Sequence, residues 1–214
     1  MHFTGGGVSS AEIFYSNGYG CNAGNSGCAL HSGDFITFDP NDWQYGLPAL
    51  LLDNDYDEVY LGSSDVFTIG LPQGGFAAVF ASSIYLAPFL PQSGAPGVLN
   101  ANYVDPSTTS AGVFGGDVAT LKLNVDFADA AITTGTSKTA FGDLTLCNFS
   151  NLPAANGLTV REFLGVANSV LSAFYTPPFT AANTDPIVAG LNDSFRYEEL
   201  SAYGLAHLAN GPCP

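Results

Sequence analysis

The sequence predicts a mainly β protein, an antiparallel β-sandwich-like framework carrying a small helical unit at its C-terminal end. Three observations predict it. Residues 118–127 alternate Leu121, Leu123, Val125 and Phe127 with Lys122, Asn124 and Asp126, a period of two with one buried and one wet face. Residues 50–70 hold short β-type runs, Leu50-Leu51-Leu52, Val59-Tyr60-Leu61 and Val66-Phe67-Thr68-Ile69, between acidic and Gly/Ser turns, as in a meander. After residue 158 the apolar period lengthens to that of a helix.

Taken in order, residues 1–64 read as an N-terminal β-rich and turn-rich region. Phe14-Tyr15 and Phe35-Ile36-Thr37-Phe38 are its candidate strands, on either side of a Gly/Asn/Ser-rich stretch. Residues 65–214 read as a second unit, or as the rest of one domain. Phe76 to Leu90 is Ala-rich and more helical than extended, with Pro88 limiting any helix, and 91–97 is a loop. Gly142 to Cys147 repeats the alternation of 118–127 on a shorter scale. Thr159 followed by Glu162 forms a capping box, and Val160, Phe163, Leu164, Ala167, Val170, Leu171 and Phe174 recur at helical spacing, so 160–174 reads as an amphipathic helix. Pro177-Pro178 ends it. A second helix is expected over 185–195, with Pro186 at its first position, and a third over 197–208, stopped by Asn210-Gly211. No internal repeat occurs.

Composition narrows the function classes. Charged residues make up 11% of the chain, against roughly 25% in an average soluble protein. Lys122, Lys138, Arg161 and Arg196 are the only basic residues, and the net charge is −15. A phosphate backbone needs several Lys or Arg contacts, so nucleic acid and anionic membranes are excluded as partners. No run of 18 apolar residues occurs, so no membrane insertion is expected. The first residues, Met1-His2-Phe3-Thr4-Gly5-Gly6-Gly7, lack a basic segment and an apolar core, so they are not a signal peptide. Either a signal has been removed or the protein stays inside, and the cysteines favour removal.

Four cysteines allow three pairings. Cys21 and Cys28 flank a turn-forming loop that can bring them together, which leaves Cys147 with Cys213. The second bridge would close a long loop and pin the helical unit to the preceding strand. Disulfides imply an oxidising compartment, here the cell surface or the extracellular space.

A longer pattern then emerges. Phe89-Leu90-Pro91-Gln92-Ser93-Gly94-Ala95-Pro96 precedes Tyr103-Val104-Asp105-Pro106-Ser107-Thr108-Thr109-Ser110-Ala111-Gly112-Val113-Phe114. The run 121–127, Phe141-Gly142-Asp143-Leu144, and Gly157-Leu158-Thr159-Val160-Arg161-Glu162-Phe163-Leu164 with Ala167-Asn168 follow. Over about residues 65–208 this resembles an uncharacterised module of secreted, Bacteroidetes-type bacterial cell-surface proteins. The resemblance implies secretion and a surface location. It carries no catalytic residues.

Candidate chemistry is sparse. Asp53, Asp55 and Asp57, alternating on a predicted turn, could present oxygens to Ca²⁺, with Asp34, Asp39 and Asp65 nearby, although an EF-hand would need a Gly and a distal Glu that are missing. Otherwise the cluster is a solvated hairpin turn, and no other cofactor is indicated. The single Trp43 follows Asp39-Pro40-Asn41-Asp42, an aromatic beside carboxylates as in a sugar site; core packing is the plainer reading. His2, His31 and His207 have no nucleophile elbow to serve, and a His31–Cys28 pair would lose its thiol to a bridge, so no enzyme is expected. Asn148 and Asn192 begin sequons that matter only in a glycosylating host.

With Tyr at 10, Phe at 16 and Lys at two, the composition suits protein–protein contacts. The expectation is a non-catalytic extracellular structural or adhesive protein, a self-assembling subunit of a surface filament, sheath or coat. Its partners would be other copies of itself, joined by Phe3, Val8, Ile13, Phe14 and Tyr15. The alternative is a monomeric, calcium-dependent, carbohydrate-binding module of an adhesin, with a glycan as partner.

Overall fold

The computed structural model describes residues 29–61, 66–174 and 176–214. Among them the architecture is helical, which corrects the mainly β expectation. There are six α-helices, α1 Gly46–Tyr56, α2 Ser83–Phe89, α3 Val113–Asp129, α4 Val160–Leu171, α5 Ala181–Asn192 and α6 Ala202–His207. The strands are short: β1 Phe67–Gly70, β2 Ala77–Phe80, β3 Tyr103–Val104, β4 Thr145–Leu146 and β5 Leu208–Ala209. They form one three-stranded and one two-stranded sheet, too little for a sandwich.

The largest correction falls on 118–127. The presumed strand is the middle of α3, the central helix, packed by α4, α5 and β1. Its alternation misled because α3 is buried on most of its circumference, and a helix buried all round shows no amphipathic period. Lys122 and Asp126, read as the wet face of a strand, are an i,i+4 ion pair at 2.7 Å. Asn124, read the same way, is buried. Its Nδ2 donates to the Phe38 carbonyl and the Asn192 side chain, while its Oδ1 accepts from the Phe38 amide. Because unpaired polar groups are expensive inside a core, this network fixes how segment 35–38, α3 and α5 meet.

Leu50-Leu51-Leu52 is likewise helical. Pro48, Leu52 and Tyr56 recur at every fourth residue as the buried face of α1, and Tyr60 extends that face into the π-turn Asp57–Leu61. The expected strand at 66–69 does form, as β1. It pairs antiparallel with β2, Phe67 opposite Phe80 and Gly70 opposite Ala77, while β3 lies parallel on β2. Segment 76–90 divides into β2 and α2. Segment 35–38 contributes isolated bridges at Phe35 and Thr37 rather than a strand.

The C-terminal helices occur near their expected places. The capping box of α4 is formed, with the Glu162 amide donating to Thr159 Oγ1 at 3.1 Å and the Thr159 amide to Glu162 Oε2 at 2.8 Å. The second helix starts earlier than expected, at Ala181, because Thr180 and Asn183 make their own capping box and Pro186 is accommodated inside. The third is shorter, since β5 takes over at Leu208 and pairs with β4. Cys147 and Cys213 are bonded across 66 residues of sequence and tie the chain end to β4. One buried cluster runs from Phe35 to Leu208, on both sides of residue 64.

Candidate functional site

Two surface features stand out. The first is on α1 and α2, which pack together beside the turn Asp42–Gln44. Apolar residues lie all round α1, so the inward row cannot cover them. Tyr45, Leu47 and Leu50 are 69%, 63% and 60% exposed, and Ile84 and Tyr85 on α2 are 72% and 48% exposed. Asp53 joins the two helices, accepting from Ser83 Oγ at 3.1 Å. Of these five side chains only Leu50 was named from sequence, as part of a β-type run. Reading Gly46–Tyr56 as a helix would have revealed an apolar face with no internal partner.

The second feature is a cavity of about 350 Å³ where residues 148–152, α5 and α6 meet. Phe149 stacks on the His207 ring at 4.4 Å and 19°, and Tyr203 approaches the same ring at 4.7 Å. His207 Nδ1 lies 3.1 Å from the Cys147 carbonyl, which can only accept, so Nδ1 carries a proton and donates. Gly190 lets Tyr203 in: a Cβ there would overlap the Tyr203 ring. Burial pushes the Tyr203 phenol well above its ordinary pKa. Only His207 of this group was named from sequence, as a helix-end residue.

The residues expected to bind calcium lie on α1 and the turn after it, not on an Asx-rich hairpin. Asp53 and Asp57 are one turn apart, and Asp55 points about 200° round the axis from Asp53 at 100° per residue. Among the described residues no three His, Cys, Asp or Glu side chains gather to hold a metal ion. Asp65 lies outside the described residues, as do Cys21, Cys28, Phe3, Val8, Ile13, Phe14 and Tyr15.

Trp43 is fully buried, edge-on to Phe38 and Phe127 at 5.3 and 5.1 Å, so it is core and offers no sugar platform. Its neighbour Asp42 is a structural anchor. Arg196 grips it with Nε and Nη2 at 2.7 and 2.8 Å, and the Tyr197 hydroxyl donates at 2.9 Å. Burial works to raise the Asp42 pKa, but the bonds from Arg196, the Asp39 amide and Tyr197 outweigh it and hold the carboxyl below its ordinary value. The Asn192 sequon is buried, so no glycan can be attached there in the folded chain.

Asp117 on α3 and Asp185 on α5 form a hydrogen-bonded carboxyl pair. Burial raises the Asp117 pKa, and the charge and hydrogen bond of Asp185 push it further, to about 8. Burial also raises Asp185, whose Oδ1 has no hydrogen-bond partner. Two carboxylates this close hold one proton between them.

No family model, curated protein or solved structure matches the chain.

Proposed function

We propose that this chain is a non-catalytic structural and adhesive subunit of an extracellular surface, joined to other copies of itself through the α1–α2 face. The exposed row of Tyr45, Leu47, Leu50, Ile84 and Tyr85 carries the reading. Soluble monomers rarely leave large apolar side chains in contiguous patches without a partner for them. The chemistry of the chain favours a second copy. Lys122, Arg161 and Arg196 are already paired with Asp126, Asp129 and Asp42, so few cations remain to meet a neighbour's carboxylates. At a net charge of −15, copies approach most easily where apolar side chains meet, which a two-fold contact through these five residues provides. Such a contact closes at two copies, so a filament or sheet needs a second joint. Residues Phe3, Val8, Ile13, Phe14 and Tyr15 are the proposed one. The Cys147–Cys213 bridge supports an oxidising location.

The test is the size of the full chain in sedimentation and electron microscopy, alone and with Leu50→Glu plus Ile84→Glu. The double variant should keep its circular dichroism and lose self-association, and deletion of residues 1–15 should leave dimers that do not extend. A wild-type monomer of 22.1 kDa at all concentrations overturns the proposal. So does a charge variant that assembles unchanged. Unfolding of that variant would mean that the chain covers the face itself, and would also overturn it.

A further inference from the structure

We propose that the cavity bounded by Phe149, Tyr203 and His207 binds a neutral, hydroxyl-rich ring of monosaccharide size. The inference is independent of the α1–α2 contact, because the cavity is built from different elements.

Among the described residues no Asp, Glu, Lys or Arg lines it, although the chain has 19 acidic residues. An anionic ligand would find no Lys or Arg there, and an amine no carboxylate. A wholly apolar ligand fits poorly too, because it would strip water from Asn148, Ser150 and Asn151 without replacing their hydrogen bonds. What the wall offers is aromatic surface with a mixed set of neutral donors and acceptors, the requirement of a ligand whose hydroxyls do both.

The frame is fixed in advance. Asn183 is locked as the cap of α5, its Oδ1 accepting from the Thr180 amide at 2.7 Å and its Nδ2 donating to the Pro178 carbonyl at 3.0 Å. Asn148 Nδ2 donates to the Ala206 carbonyl at 2.9 Å, which ties the 148–152 loop to α6 and leaves Oδ1 to accept. With Nδ1 committed to the Cys147 carbonyl, His207 keeps Nε2 for a ligand hydroxyl, on a ring already stacked against Phe149. Among the described residues the exposed side chains of Ser150 and Asn151 make no hydrogen bond, and both can turn to a ligand. Prior fixing of the frame lowers the ordering cost of binding. Nothing in the site calls for calcium, which separates it from a calcium-dependent lectin.

The experiment is a nitrogen-15 amide titration of the full chain with glucose, galactose, mannose, N-acetylglucosamine, fucose and xylose. It is repeated with a chelator and with the Ser150→Ala, Asn151→Ala double variant. At least one sugar should bind saturably, with a Kd of about 1 mM or tighter. Shifts should be confined to residues 148–152, 183–187 and 203–207, unchanged by the chelator, and affinity should fall at least tenfold in the variant, whose exposed substitutions leave the fold intact. Gly190→Ala, which displaces the Tyr203 ring, should weaken the same sugar. The proposal is overturned if no sugar in the panel binds, if the shifts map elsewhere, if the chelator abolishes binding, or if both variants bind as the wild type does.

Discussion

Asp117 should make this protein lose stability as pH rises from about 4 toward 8, the reverse of what a salt-bridged carboxylate does. The sign follows from proton counting. An Asp in the unfolded chain releases its proton near 3.8, whereas the folded Asp117 keeps it to about 8. Between those values the folded state holds one more proton, so the stabilisation is complete below the lower value and is lost through the upper one. One proton corresponds to a slope of at most about 1.4 kcal/mol per pH unit. Asp117 is only partly buried, and water reaching it reduces the effect, so a total near 2–3 kcal/mol across the window is expected. Asp117→Asn keeps a donor facing Asp185 and removes the titration. Urea unfolding of both proteins at pH 5, 6, 7 and 8 isolates the difference, because every other titrating group is shared. The variant should match the wild type near pH 5 within about 1 kcal/mol and exceed it at pH 8. A difference between the two that does not change with pH refutes the shared proton.

Two further predictions concern the helical end of the chain. Thr159→Ala removes the oxygen that accepts the Glu162 amide and should cost about 1 kcal/mol, read as a lower urea midpoint at unchanged slope; an unchanged midpoint would mean the capping box contributes nothing. Replacing Cys147 and Cys213 by Ser opens a loop spanning 66 residues and should cost about 4 kcal/mol on the chain-entropy account. A loss under about 1 kcal/mol would place the effect of the bridge elsewhere than in the unfolded chain.

How much was legible in the sequence depended on how each element is packed. Helix α4 could be read because it lies on the surface: its apolar side faces α3 and α5, its polar side faces water, and Thr159 and Glu162 announce where it begins. Helix α3 could not, because neighbours on most sides erase the period that marks a helix. The one clue was the spacing of Lys122 and Asp126, which joins charges on a helix and would separate them along a strand. Helix α1 was hidden for a different reason. Leu50-Leu51-Leu52 is one unbroken apolar run in which Leu52 is buried and Leu50 faces water, so it shows no helical period and read as a strand. The cavity at His207 was closer to reach than it looked. The expected Cys147–Cys213 bridge already required the C-terminal residues to return beside residues 148–151, since a disulfide holds its Cα atoms about 5.6 Å apart. His207 lies six residues before one end of that bridge, and the Phe149-Ser150-Asn151 loop starts two residues after the other. A cross-link inferred from sequence therefore constrains the surroundings of both its ends, and a polar, aromatic loop at one end with a histidine at the other is the sequence trace of this pocket.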